Sequence, residues 1–262
     1  MKILFLGDIV GQNGRNAIKH NVEKLVNKYQ VDFVIANGEN TTHGKGLIER
    51  HYNELIDSGI DCITLGNHYF SKNYIANYID QAECLVRPLN LLNNFGGVGS
   101  RLFDVGGTKV RVTNILGTAF MKEEVASPYN SLKELLDSIP EEDSIHIVDF
   151  HAEATGEKMC FGYAFDGLVS AVLGTHTHVQ TNDARILPNG TGFMSDVGMC
   201  GAANGVLGFD RHSVINKTLF GSDERFTINV DDTEMINGVI LEIDEISKKC
   251  VEIFPIRVIG DK

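Results

Sequence analysis

The sequence predicts an α/β fold in which two mixed β-sheets pack face to face with helices outside, a four-layer αββα sandwich. Short apolar runs stop abruptly at Gly and polar residues, as strands of a sheet covered on both faces do. The first of these runs alternate with helical segments, the rhythm of parallel strands joined by crossover helices. The C-terminal third then changes to Gly-bounded β segments with hairpin-like connections. No Pro, Ser or charge-rich linker and no internal repeat divides residues 1–262, so one domain is expected.

In chain order, Ile3 to Leu6 is a strand stopped by Gly7-Asp8. Arg15 to Tyr29 places Ile18, Val22, Leu25 and Val26 near a 3.6 spacing and reads as a helix. The strand Phe33 to Ala36 leads to Asn37-Gly38-Glu39-Asn40, and the helix Leu47 to Ser58 ends before Gly59. Cys62 to Leu65 leads to Gly66-Asn67-His68, and β segments lie around Arg101 to Ile115. Ile145 to Phe150 runs into His151, and Ala171 to Leu173 into Gly174-Thr175-His176-Thr177-His178. From about Thr191 the chain is expected to be mostly sheet, with segments Arg225 to Val230, Gly238 to Ile243 and Val251 to Val258.

Hydrophobic residues make up 43% and charged residues 22% of the chain, enough apolar surface for a sizeable core, which excludes a disordered or fibrous class. No apolar run approaches the roughly 18–20 residues of a membrane span, and no signal peptide is evident. The five cysteines include no C-x-x-C pair, which suits reduced thiols in the cytoplasm. With 23 Lys+Arg against 35 Asp+Glu, the net charge of −12 argues against stable binding of duplex nucleic acid. Small phosphate-bearing ligands remain open if bound cations invert the local field.

Ligands of open α/β sheets bind beyond the carboxyl ends of the strands. Here five such ends deliver Asp8, Glu39-Asn40, Asn67-His68, His151 and His176/His178. Taken singly, an Asp after a strand is usually a cap, and a buried His a hydrogen-bonded core residue. Taken together they are a metal-ligand set of carboxylate, amide oxygen and imidazole without thiolate, suited to Fe, Mn or Zn. There are more donors than one ion needs, and two ions roughly 3.5–4 Å apart would use them all in a clamp fitted to displacement at phosphorus.

Gly7-Asp8, Gly66-Asn67-His68 and Gly174 to His178 resemble the signature of calcineurin-like metallophosphoesterases. The family's usual D-x-H is absent, since Asp8 is followed by Ile9-Val10, and Glu39-Asn40 replaces the expected bridging Asp. That departure, with His151 to Thr155 and Asp196 to Met199, resembles the YmdB-type phosphodiesterases that act on 2′,3′-cyclic nucleotides. The resemblance implies Asp8, Glu39, Asn40 and His178 around one metal and Glu39, Asn67, His151 and His176 around the other. It further implies a bridging hydroxide as nucleophile, His68 as general acid to the leaving 2′-oxygen, and a 3′-nucleotide product. His43 and Lys45, beside Glu39, are candidate substrate contacts. After His68 this chain has Tyr69-Phe70-Ser71 where relatives have Thr-Trp-Asp, which bears on pocket shape more than on the reaction.

Other motifs fall short. Five residues, not the four of a P-loop, separate Gly38 from Gly44, and Gly46 replaces its Ser/Thr. His151-Ala152-Glu153 lacks the P-C-x-x-C of zinc deaminases. Glu153 is either a residue that orients His151 or simply exposed, and His51 is expected at the surface. The rival readings are a broader phosphomonoesterase or nucleotidase, and a metal-bound regulatory partner in RNA decay with incidental hydrolysis. The resemblance also leaves room for a homo-oligomer.

Overall fold

The computed structural model describes residues 1–93, 96–139, 143–229 and 233–260. The first half runs β1 (Lys2–Leu6), β2 (Asp8–Ile9), α1 (Gly11–Tyr29), β3 (Phe33–Asn37), α2 (Glu49–Asp57), β4 (Cys62–Thr64), β5 (Leu85–Val86), β6 (Ser100–Val105) and β7 (Thr108–Leu116). There follow α3 (Pro128–Ser138), β8 (Ile145–His151), α4 (Thr155–Ala164), β9 (Ala171–Thr175), β10 (Arg185–Ile186), β11 (Gly192–Met194) and β12 (Met199–Ala202). The chain closes with α5 (Arg211–Phe220), β13 (Glu234–Ile243) and β14 (Cys250–Ile259).

Both sheets are mixed. One has eight strands in the order β2-β12-β13-β1-β3-β4-β5, with β14 paired to β13; the other has six, β10-β11-β9-β8-β7-β6. Parallel pairing joins β1 to β3, β3 to β4, β7 to β8 and β8 to β9, so the carboxyl ends of β1, β3 and β4 share one edge, as do those of β8 and β9.

The apolar runs are continuous because both faces are covered. In β1, Leu4 and Leu6 pack with Ile18 and Val22 of α1 and Leu55 of α2, while Ile3 and Phe5 face the opposite way. There they meet Val110, Ile147 and Leu173 of the second sheet in a core shared by both sheets. The other face of that sheet, through Val148, Phe150 and Val172, packs on Leu132 of α3 and Phe161 of α4. This is the strand period of two written into every layer.

Two expectations fail in the C-terminal third. A helix, α5, interrupts the sheet: Asp210 caps its start by accepting from Ser213 N–H at 2.9 Å, and Gly221 closes it at φ 68°. Arg225 to Val230 is not a strand within the described residues, where Ile228 alone bridges to Phe209; Val230 lies outside them. The first helix also begins earlier than expected, at Gly11 instead of Arg15.

Candidate metal centre

The ends of strands from both sheets converge. Asp8 opens β2 directly after β1, Glu39 and Asn40 follow β3, Asn67 and His68 follow β4, His151 ends β8, and His176 and His178 follow β9. Asp8, Glu39, Asn40 and His151 are buried, and Asn67, His68, His176 and His178 partly so. His151 Nε2 lies 3.1 Å from Glu39 Oε1, 3.0 Å from Asn67 Oδ1 and 3.0 Å from His176 Nδ1. Asp8 Oδ2 accepts from His176 N–H at 3.1 Å, and Asp8 Oδ1 stands 3.7 Å from His178 Nε2.

Three histidines are each held by one ring nitrogen. Thr175 Oγ1 donates to Asp149 Oδ1 at 2.6 Å, so its single proton is committed and it must accept from His151 Nδ1–H at 2.8 Å. Glu153 Oε2 accepts from His176 Nε2 at 3.1 Å, and the Leu207 carbonyl accepts from His178 Nδ1 at 3.0 Å. His151 Nε2, His176 Nδ1 and His178 Nε2 are thereby the ring nitrogens left facing the centre. Ligating histidines are fixed in this way.

The donor set fits divalent metal. Around His151 Nε2 stand two oxygens and a second imidazole nitrogen, and one proton there can satisfy only one of them; a cation satisfies all. Glu39, His151 and His176 form a three-residue cluster whose ligand atoms lie within 4.8 Å of one another. The buried Asp8 Oδ1 and Asn40 Oδ1 make no hydrogen bond, as oxygens reserved for a cation would not. A Cβ at Gly66 would run into Glu39 Oε2 and His151 Nε2, so glycine keeps the space between these donors clear.

Electrostatics follow from burial and crowding. Burial pushes Asp8 up to about 6, partly countered by His178 and His151. Burial also acts to raise Glu39, but His151 outweighs it through charge and hydrogen bonding and holds Glu39 down at about 2. In the same pair burial works against the His151 imidazolium, yet Glu39 and Asp8 lift it to about 9. Burial and His151 depress His176 to about 3, which keeps its imidazole neutral. The His68 N–H donates to Glu39 Oε2 at 2.8 Å, and burial with Lys45 lowers its ring below the usual imidazole value.

Two clefts open from these donors and share Lys45, His68 and His176. Lys45 is exposed and lines both. His43, the other candidate contact, is exposed but lines neither cleft, and its ring stands 6.5 Å from that of His51. His51 itself is buried, not at the surface, with Nδ1 2.9 Å from Thr42 Oγ1. Glu153 orients His176, not His151, and stays half-exposed.

Four supporting residues were missed by sequence reasoning. Asp149, fully buried, accepts from Thr64, Asn37 and Thr175. The signal was its place two residues before His151, on the same face of β8. Among the described residues seven non-glycine positions have positive φ, and four of them, Phe120, His176, His178 and Leu207, line the two clefts. Such strain collects at functional sites.

Known proteins resemble this chain along its whole length. A family model described as YmdB-like protein matches residues 4–256. Over its whole length the chain is 43% identical to a 2′,3′-cyclic-nucleotide 2′-phosphodiesterase of Bacillus subtilis, of which it covers 98%. The crystal structure of a novel phosphatase from Mycoplasma pneumoniae matches with a TM-score of 0.92 at 44% identity, over all of this chain and 94% of that one. That of a hypothetical protein from Thermus thermophilus matches with 0.91 at 35% identity, over the whole of both chains.

Proposed function

This chain belongs to the YmdB-like family, and from that premise we propose that it is a metal-dependent phosphodiesterase that opens 2′,3′-cyclic nucleotides to 3′-nucleotides. The observation that carries this reading is the inward aim of three histidine ring nitrogens, each fixed by a partner on its other nitrogen.

Asp8, Glu39, Asn40 and His178 would hold one ion and Glu39, Asn67, His151 and His176 a second, with Glu39 shared. Iron or manganese suits this oxygen and nitrogen set, and zinc also. Bound there, the ions supply charge to the phosphoryl oxygens and make water nucleophilic near neutral pH. Lys45, which lines both clefts, would neutralise the diester's single negative charge. His68, with Nδ1 3.3 Å from Ser71 Oγ, would deliver a proton from Nε2 to the departing 2′-oxygen, and its lowered pKa makes the imidazolium a stronger acid. His43, turned toward His51, is not part of this reading.

The shared core between the sheets, with α1 and α2 on one outer face and α3 and α4 on the other, supports four layers and a single domain. No helix of the described residues is long and apolar enough to cross a membrane, and free thiols at all five cysteines agree with a cytoplasmic setting.

The test is hydrolysis of 2′,3′-cyclic AMP by purified protein with manganese, resolving 3′-AMP from 2′-AMP, with 5′-AMP as a phosphomonoester at equal concentration. Dominant 3′-AMP is expected. Faster turnover of the monoester would replace this reading with the nucleotidase one, and no turnover with metal bound would favour the regulatory one.

A further inference from the structure

We propose that the substrate's nucleobase stacks on an aromatic wall formed by Phe209 and Phe226, in the cleft that runs from the metal donors past His178. The proposal rests on the cyclic-nucleotide reading above and adds the part of the site that would recognise the nucleoside.

The wall is built by a short return of the chain. Phe209 bridges to Ile228, and Asp210 N–H donates to the Thr227 carbonyl at 2.8 Å, which sets Phe226 beside Phe209 with ring centroids 5.7 Å apart and planes inclined by 50°. Phe226 is 46% exposed and Leu207, next along the wall, 43%. Lys217 Nζ stands 5.6 Å from the centroid of Phe226, and the apolar rings border the cluster of carboxylates and imidazoles. A stacking platform for a planar ligand has this composition.

The wall is tied to the centre at two points. The Leu207 carbonyl, in a residue held at φ 53°, accepts from His178 Nδ1. The loop carrying Lys45 packs against the foot of the wall: a Cβ at Gly44 would meet Ile228 Cδ1 at 2.6 Å and Phe209 Cε1 at 3.3 Å. One ligand can therefore place an anionic phosphate against Lys45 and the donors while its base lies on the rings. The cleft, about 380 Å³, is of a size for a nucleoside. Phe120 in the other cleft is 88% exposed and, among the described residues, is paired with no second ring, so it offers no such wall.

Kinetics of the manganese-loaded enzyme on two substrates test this: 2′,3′-cyclic AMP, and methyl β-ribofuranoside 2,3-cyclic phosphate, which keeps sugar and diester but lacks the base. Phe226→Ala should raise KM for cyclic AMP about tenfold, with kcat within about twofold, and leave the base-free substrate's constants unchanged. Phe209→Leu should act in the same direction, and Phe120→Ala should change the KM of both substrates by the same factor. Equal losses on both substrates, an unmoved KM for cyclic AMP, or a base-dependent loss in Phe120→Ala instead would overturn the proposal. A wild-type enzyme that hydrolyses neither cyclic substrate refutes the cyclic-nucleotide reading, and the base seat with it, before any variant is compared.

Discussion

Thr175 has one hydroxyl proton and gives it to Asp149, which decides the orientation of His151. Thr175→Val keeps the shape but removes the acceptor for Nδ1–H, so manganese affinity should fall about 10- to 100-fold while the fold persists. Competition with a chelator, alongside circular dichroism, measures this; an unchanged affinity would remove Thr175 from the positioning role. His51 gives a second prediction, on stability. Burial, reinforced by Arg15, lowers it from 6.5 to about 4, so between those values the unfolded chain binds the proton and the native one resists it. Stability is complete above about pH 7 and should decline by up to about 3 kcal/mol as pH falls from 6.5 toward 4. Urea midpoints at pH 7 and pH 5 should differ in the wild type and differ less in His51→Gln; the same difference in both would assign the acid loss elsewhere. At this scale the donors were legible because each sits at a strand end, all but His151 in a Gly-marked motif. Their supports were not, since Thr175 and Asp149 resemble ordinary strand residues until the partner strands bring them together.

The segment from Gly174 to His178 shows how an element can be made to aim two imidazoles. Gly174 passes so close to the Ser195 carbonyl that any Cβ would collide with it, and His176 and His178 sit at φ 102° and 65°, costly for residues with side chains. What holds them is a buried ion pair. Lys158 of α4 donates to the Thr175 carbonyl and to Asp196 Oδ2, both at 2.8 Å, and Asp196 in turn accepts from Thr177 N–H at 3.0 Å. Removing one partner strands the other's charge inside the protein. Lys158→Met is therefore expected to cost about 3–5 kcal/mol in urea unfolding, and Lys158→Met/Asp196→Asn less than the sum of its single variants. Strict additivity would show that the two side chains act independently. The strand leading into this segment was readable from its apolar run, whereas α4 beside it and α5 further along were not. In α5 the Asp210 cap and Gly221 stop stand in the sequence, but the helix buries only Ser213 and so has no apolar stripe to announce it.

Across the whole molecule the centre is a joint between two sheets. The eight-stranded sheet brings Asp8, Glu39, Asn40, Asn67 and His68, and the six-stranded sheet brings His151, His176 and His178. Neither sheet alone supplies a complete ligand set, and the hydrophobic layer between them fixes how far apart the two groups stand. The order of strands β1, β3 and β4 was legible because crossover helices leave few alternatives. How the second sheet faces the first was not, because it depends on side chains far apart in sequence meeting in the shared core. Metal binding should then stabilise the folded chain as a unit, because the unfolded chain has no such joint. At a free manganese concentration about 100 times the dissociation constant, linkage gives about 2.7 kcal/mol, or a rise in Tm of about 5–10 °C for a chain of this size. Glu39→Gln removes the carboxylate that the proposed reading shares between two ions and should abolish most of that rise without preventing folding. If manganese raised the Tm of Glu39→Gln as much as that of the wild type, the stabilising ion would be bound elsewhere, and the two sheets would be held together by their apolar layer alone.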